Sequence, residues 1–173
     1  MQIKEQLETE ISRWNTDQVT WYIGRDPDRF LTLWDLIFPE TYPVSPRAAW
    51  VAESCCIKYP HLLKPYLNDL ISRLPGIRFH GIKRHMIKIL TYQDIPEKYL
   101  GQLVDLCFAW IQASELPVSV KVHCMQVLYN ILPQFPELED EFIVVVNDQI
   151  PKNSAGFRTR AKKLLTGMNT IHR

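Results

Sequence analysis

Glycine is scarce in this chain, with 6 residues in 173 against 12 prolines, and that bias disfavours an α/β fold built on glycine-rich phosphate loops. No window of about 18 apolar residues occurs, so no membrane-spanning helix is expected. The opening MQIKEQLETEISRW carries Lys4, Glu5, Glu8 and Glu10 where a secretory leader needs an unbroken apolar run, and none is expected. The four cysteines, Cys55, Cys56, Cys107 and Cys124, show no Cys-x-x-Cys spacing. This argues against a zinc ribbon, a thioredoxin-type pair or a disulfide framework. All four sit in apolar segments, where a reduced cysteine acts as a small hydrophobe, so a cytoplasmic location is expected. Gly-x-Ser-x-Gly, a phosphate-binding loop, His-Glu-x-x-His and a paired-carboxylate motif are all missing. Enzymatic activity therefore has no signature, and no cofactor or metal is expected.

What is present is enough to bury a core. The chain is 46% hydrophobic and 23% charged, and its length suits one domain on the usual figure of about 100–200 residues. Twenty basic and nineteen acidic residues give a net charge of +1, so no uniformly charged partner is implied. Hydrophobic periodicity is helical throughout. Phe79, Ile82, Met86, Ile89 and Leu90 share one face, with Arg84 and Lys88 opposite. Val118, Val122, Met125, Leu128 and Leu132 form another stripe, and Tyr99 to Ile111 a third. The one β-branched run, Phe142–Val146, follows the acidic stretch Glu137–Glu141, which suits a helix N-terminus. It reads as a buried helix.

Prolines mark helix starts. Asp26-Pro27 and Ser45-Pro46 each read as an N-cap followed by proline at the first helical position. The expected helices are 2–13, 17–24, 27–38, 45–58, 61–74, 79–91, 97–113, 117–132, 137–150 and 155–168. Short connections predict antiparallel neighbours and an all-α fold.

The pattern repeats. Arg47, Lys83, Lys121 and Arg158 are separated by 36, 38 and 37 residues. Three positions on come Trp50, Met86, Cys124 and Ala161; seven on come Ser54, Leu90, Leu128 and Leu165. A second ladder, Pro27, Pro60, Pro96 and Pro136, marks the other helix of each unit. Helix pairs of this length, with a second helix reading Pro60-His61-Leu62-Leu63-Lys64-Pro65-Tyr66-Leu67, resemble HEAT or armadillo-type repeats. The resemblance covers roughly residues 27–168, as three full units with partial ones at both ends. It implies a single domain over 1–173: a right-handed α-α superhelix of about ten helices. Residues 1–26 would form a helical cap with Trp14, Trp21, Tyr22 and Trp34 packed into it, 27–168 the stacked pairs, and 169–173 a tail.

Two readings attach to the basic ladder. Arg47, Lys83, Lys121 and Arg158 either line one edge of the stack to hold phosphate or carboxylate, or pack their stems between helices and reach a carbonyl or acid. Charge is segregated: residues 1–46 carry −4, 47–133 +4, 134–151 −5 and 152–173 +6. The last block, Lys152, Arg158, Arg160, Lys162, Lys163 and Arg173, either contacts phosphate or forms a solvated face. His80 and His85 are five apart, which misses the spacing of a helical zinc site. His61, His123 and His172 add no ligand set, although His85 and His123 occupy equivalent repeat positions.

The resemblance implies a non-catalytic protein-interaction or scaffolding module. Its concave surface would be lined by second helices, making Lys64, Asn68, Asp69, Lys98, Gln102 and Asp105 candidate contacts to a protein or peptide. Nucleic-acid binding is the alternative, in the manner of HEAT-like alkylpurine DNA glycosylases, with Trp50 beside Glu53 or Trp110 beside Asp105 at the base. A fold hosts many functions, so the site itself must decide.

Overall fold

Asp26 shows how this sequence starts a helix. Its carboxylate accepts from the backbone N–H groups of Asp28 and Arg29 at 3.0 and 3.1 Å, and Pro27, which has no N–H to satisfy, takes the first helical position. The computed structural model describes residues 1–171, with side chains described through Met168. His172, Arg173 and the side chains of the expected tail lie outside the described residues. Ten helices occur there: α1 Ile3–Thr9, α2 Arg13–Ile23, α3 Pro27–Asp35, α4 Val44–Lys58, α5 Leu67–Arg73, α6 His80–Leu90, α7 Glu97–Gln112, α8 Val118–Ile131, α9 Glu139–Gln149 and α10 Ala155–Ile171. The described residues contain no strand, and the fold is all-α.

Boundaries moved where local hydrogen bonding outbid periodicity. The expected helix 2–13 stops at Thr9 because Ser12 caps α2: its hydroxyl accepts from the Asn15 N–H at 3.0 Å. The expected helix 61–74 is α-helical only over α5. Pro60–Tyr66 winds as a 3-10 segment with Pro65 inside it, and Leu74–Gly76 is a second such turn. Two prolines that cannot donate to an α-helical ladder account for this. Ser45 is not a cap. It lies within α4, receives the Thr41 N–H at 2.9 Å and donates to the Leu36 carbonyl at 2.7 Å.

Packing gathers into two compact units, one over Met1–Asp94 and the other from Ile95 onward. In the first unit α4 is central, with α1, α2, α3 and α6 against it. Its core includes Phe30, Leu33, Ile37, Leu63, Leu70 and Ile82. Beside these lies an aromatic cluster in which Trp34 stands 5.1 Å from Tyr66 and 5.3 Å from Phe38, ring centre to ring centre. In the second unit α8 packs on α7 and α10, and α9 packs on α7, around Phe142, Phe157, Cys107, Cys124 and Met125.

Two expectations about apolar residues need correction. Trp14 and Trp21 do not pack into an N-terminal cap, being 64% and 76% exposed; only Trp34 of that group is buried, and Tyr22 is half-buried. The run Phe142–Val146 is helical, but only Phe142 and Val146 are buried, while Val144 faces water.

A cleft on a buried ion cluster

The first unit gathers four charged or titratable groups where α4 meets α6: Glu53 and His85 are buried, Lys88 is half-buried and Arg84 is exposed. Glu53, on α4, is 8% exposed at its side chain and accepts two hydrogen bonds, from His85 Nδ1 at 2.5 Å and from Lys88 Nζ at 2.6 Å. Arg84 Nη2 stands 2.9 Å from His85 Nε2. A guanidinium has donors only, so Nε2 accepts from Arg84 and Nδ1 carries the proton given to Glu53. Trp50 lies nearly parallel to the His85 ring, at 16° and 6.4 Å. The spacing follows from the helices. Residues 50 and 53 lie one turn apart on α4, and residues 85 and 88 do the same on α6, so two facing turns supply the cluster.

Burial works to raise the Glu53 pKa, but the hydrogen bonds from His85 and Lys88 and the positive charge of Lys88 outweigh it and hold the carboxyl below its ordinary value. Both carboxylate oxygens and both imidazole nitrogens are engaged. The arrangement therefore fixes charge in place and leaves neither group open as a general base.

Glu53 and Lys88 form part of the floor of a cleft of about 540 Å³ between α2, α4 and α6. Arg13, Asp17 and Trp21 of α2 form one wall; Ile57 and Lys58 of α4 form the other. Trp14, Asp17 and Trp21 recur at three, four and seven positions, which places them on one face of α2. Burial pushes the Cys55 thiol up to about 12 and the Cys56 and Cys107 thiols well above their ordinary value. All four cysteines are free and buried, so thiolate chemistry has no exposed candidate among the described residues.

The ladder cations divide between the units. In the first, Arg47 donates from Nη1 to the Leu7 carbonyl in the last turn of α1 at 2.7 Å, and Lys83 is buried on α6. In the second, Asn153 brings the other two together: Lys121 Nζ donates to its side-chain oxygen at 3.3 Å, and Arg158 Nη1 to its backbone carbonyl at 2.9 Å. Of the groove candidates, Lys64 and Asn68 are exposed, whereas Asp69 accepts from Arg73 Nε at 2.7 Å and from Trp34 Nε1 at 3.3 Å. Asp69 lines a smaller cleft of about 300 Å³ with Asp35, Phe38 and Arg73. Lys98, Gln102 and Asp105 are exposed on α7, with the Lys98 ammonium 4.7 Å from the Tyr99 ring centre. Trp110 is buried. In the basic block, Lys152 pairs with Asp148 at 2.7 Å and Arg160 donates to Gln126 at 2.6 Å.

Sequence reasoning weighed Trp50 and Glu53 but missed His85 and Lys88 as their partners, and missed Trp21 and Lys58. The repeat held the signal. Aligning Arg47 with Lys83 sets α4 against α6 as equivalent helices, which puts residues near 53 opposite residues near 85.

Lys121 gives a testable consequence. It is 3% exposed, burial pushes its pKa down, and its hydrogen-bond acceptor is a neutral amide. Lys121→Met should therefore raise stability by about 1 kcal/mol at neutral pH, because the replacement removes a desolvated charge. The folded lysine pKa is lowered, so this advantage should shrink as pH rises through that pKa. Urea midpoints at neutral and alkaline pH check both parts; a less stable variant at neutral pH would show that Asn153 repays the burial.

No helix among the described residues is long and apolar enough to cross a membrane. No curated protein and no solved structure matches the chain. A family model described as a HEAT repeat domain matches residues 3–168, and with an all-α structure whose equivalent helices α4 and α6 pack together, the chain belongs to the HEAT repeat domain family.

Proposed function

We propose that this HEAT repeat domain is a protein-binding module, acting as an adaptor or scaffold with no catalytic centre of its own. The observation that carries the reading is the exposure of Trp14 and Trp21 on one face of α2, at and beside the rim of the cleft. Two tryptophans held in water by one helix face are an unusual cost for a folded protein, and tryptophan is among the side chains that dominate protein interfaces. The engaged state of Glu53 and His85 supports recognition over catalysis. A base-excising role would call for a carboxylate open to its substrate; Glu53 has both oxygens occupied, and Asp105 lies out on the surface of α7. Four reduced, buried thiols fit a cytoplasmic setting.

The test compares the wild-type chain with a Trp14→Ser/Trp21→Ser double variant, each as bait in extract of the source cells. The wild type should retain a stoichiometric protein partner through gel filtration. The variant should lose it while keeping its circular dichroism and melting temperature. Retention by both, or a wild type that holds no protein, overturns the proposal.

A further inference from the structure

We propose that the cleft between α2, α4 and α6 takes an acidic, amphipathic segment of a partner protein, with carboxylates on Lys58 and Lys88 and an apolar side chain between Trp21 and Ile57. This rests on the protein-binding reading and adds the chemistry of the partner.

The cleft leaves part of its charge unsatisfied. Five charged residues line it: Arg13, Asp17, Glu53, Lys58 and Lys88. Both acids are already engaged inside the chain, Asp17 by Arg13 at 3.0 Å and Glu53 by His85 and Lys88. The cations are not used up. Lys58 makes no ion pair among the described residues; its ammonium lies 5.6 Å from the Tyr59 ring centre, in the last turn of α4. Lys88 is 31% exposed and gives one hydrogen bond to Glu53, which leaves two of its three donors. Arg13 spends its Nε on Asp17 and keeps its two terminal nitrogens. Donors thus outnumber open acceptors, and the surplus charge is positive. A carboxylate ligand complements that surplus, whereas a cationic one would have to displace Lys88 or Arg13 from its own acid.

Lys88 is well placed for such a ligand. Its ammonium is held on a buried carboxylate, so its position is set before any partner arrives and little ordering cost remains. The walls supply the second half of the specificity. Trp21 and Ile57 are 76% and 42% exposed and both line the cleft, so an apolar side chain entering between them removes area that the fold leaves wet. A nucleic-acid strand fits this site less well. Asp17 and Glu53 lie among the cations and interrupt them, which leaves places for one or two separate carboxylates but not for an unbroken run of phosphates.

The experiment is fluorescence anisotropy on the full chain with four labelled probes. These are a twelve-residue Glu/Leu peptide in amphipathic helical order, its Lys/Leu and Gln/Leu counterparts, and a single-stranded oligonucleotide of twelve bases. The Glu/Leu peptide should bind tightest, weaken with salt and shift tryptophan emission to the blue. Lys58→Glu and Trp21→Ser should each weaken it at least tenfold with unchanged circular dichroism. Equal or tighter binding of any other probe, no binding of the Glu/Leu peptide, or indifference to Lys58→Glu overturns the inference. The bait experiment separates the two failures. A partner lost with the tryptophans but no affinity for the acidic probe leaves the protein-binding reading standing and removes the acidic segment. No retained partner removes the reading itself.

Discussion

Glu53→Ala should cost about 3 kcal/mol of stability at neutral pH, read as a drop in urea midpoint with the slope unchanged. The loss is dominated by His85. With the carboxylate gone, the Nδ1 proton of a ring that is 6% exposed loses its acceptor, and an orphaned buried donor costs about 1–3 kcal/mol. Lys88 loses less, since its ammonium can turn into the cleft and be hydrated. Tryptophan emission is a suitable probe, because Trp14, Trp21, Trp34 and Trp50 all belong to the first unit. Glu53→Gln should cost less, since its amide oxygen can still receive the His85 proton.

The same residue predicts an acid limb. The Glu53 pKa is lowered from 4.5 in the folded chain, so the folded state binds this proton more weakly than the unfolded state does. The carboxylate therefore contributes its full stabilisation above pH about 4.5 and loses it as pH falls through the lowered value. The gap between wild type and Glu53→Ala should narrow progressively on acidification. A gap that stays constant from pH 7 down to pH 3 would show that the charge of Glu53 contributes nothing and that only its shape matters.

How much of this was legible in the sequence depended on whether the signal was local. The N-cap at Asp26 and the acidic first turn of α9 are short-range chemistry, and both appear where the residues placed them. The repeat was legible through its buried rungs. Met86, Cys124 and Ala161, three positions past the ladder cations, are all fully buried, and Trp50 at the same rung is half-buried against His85. Pro65 was legible in principle: apolar periodicity runs across it, but a proline in the middle of the stretch removes a donor the α-helix needs. The exposure of Trp14 and Trp21 was not legible. Composition assigns large aromatics to the interior, and only the packing of α2 on α4 shows that Thr16, Val19, Thr20 and Ile23 turn inward instead. The ion cluster was half legible: a glutamate and a histidine 32 positions apart meet only if the repeat register is trusted enough to stack one helix on the next.

Phe142→Ala should destabilise the second unit by about 3–5 kcal/mol, whereas Val144→Ala two residues on should change stability by less than about 0.5 kcal/mol. The contrast follows from geometry. In a strand, residues 142, 144 and 146 would share a face, and truncating either of the first two would open a cavity. In α9 each residue turns by about 100°, so Phe142 and Val146 point inward together while Val144 points away. Phe142 has no exposed surface and Val144 is 67% exposed. Removing the phenyl ring leaves a void that close-packed neighbours on α7 and α10 fill only in part, which adds a cavity cost to the lost burial. Far-UV circular dichroism during urea unfolding of both variants measures the two losses directly. Similar losses at 142 and 144 would place both side chains on one face and overturn the helical placement of this β-branched run.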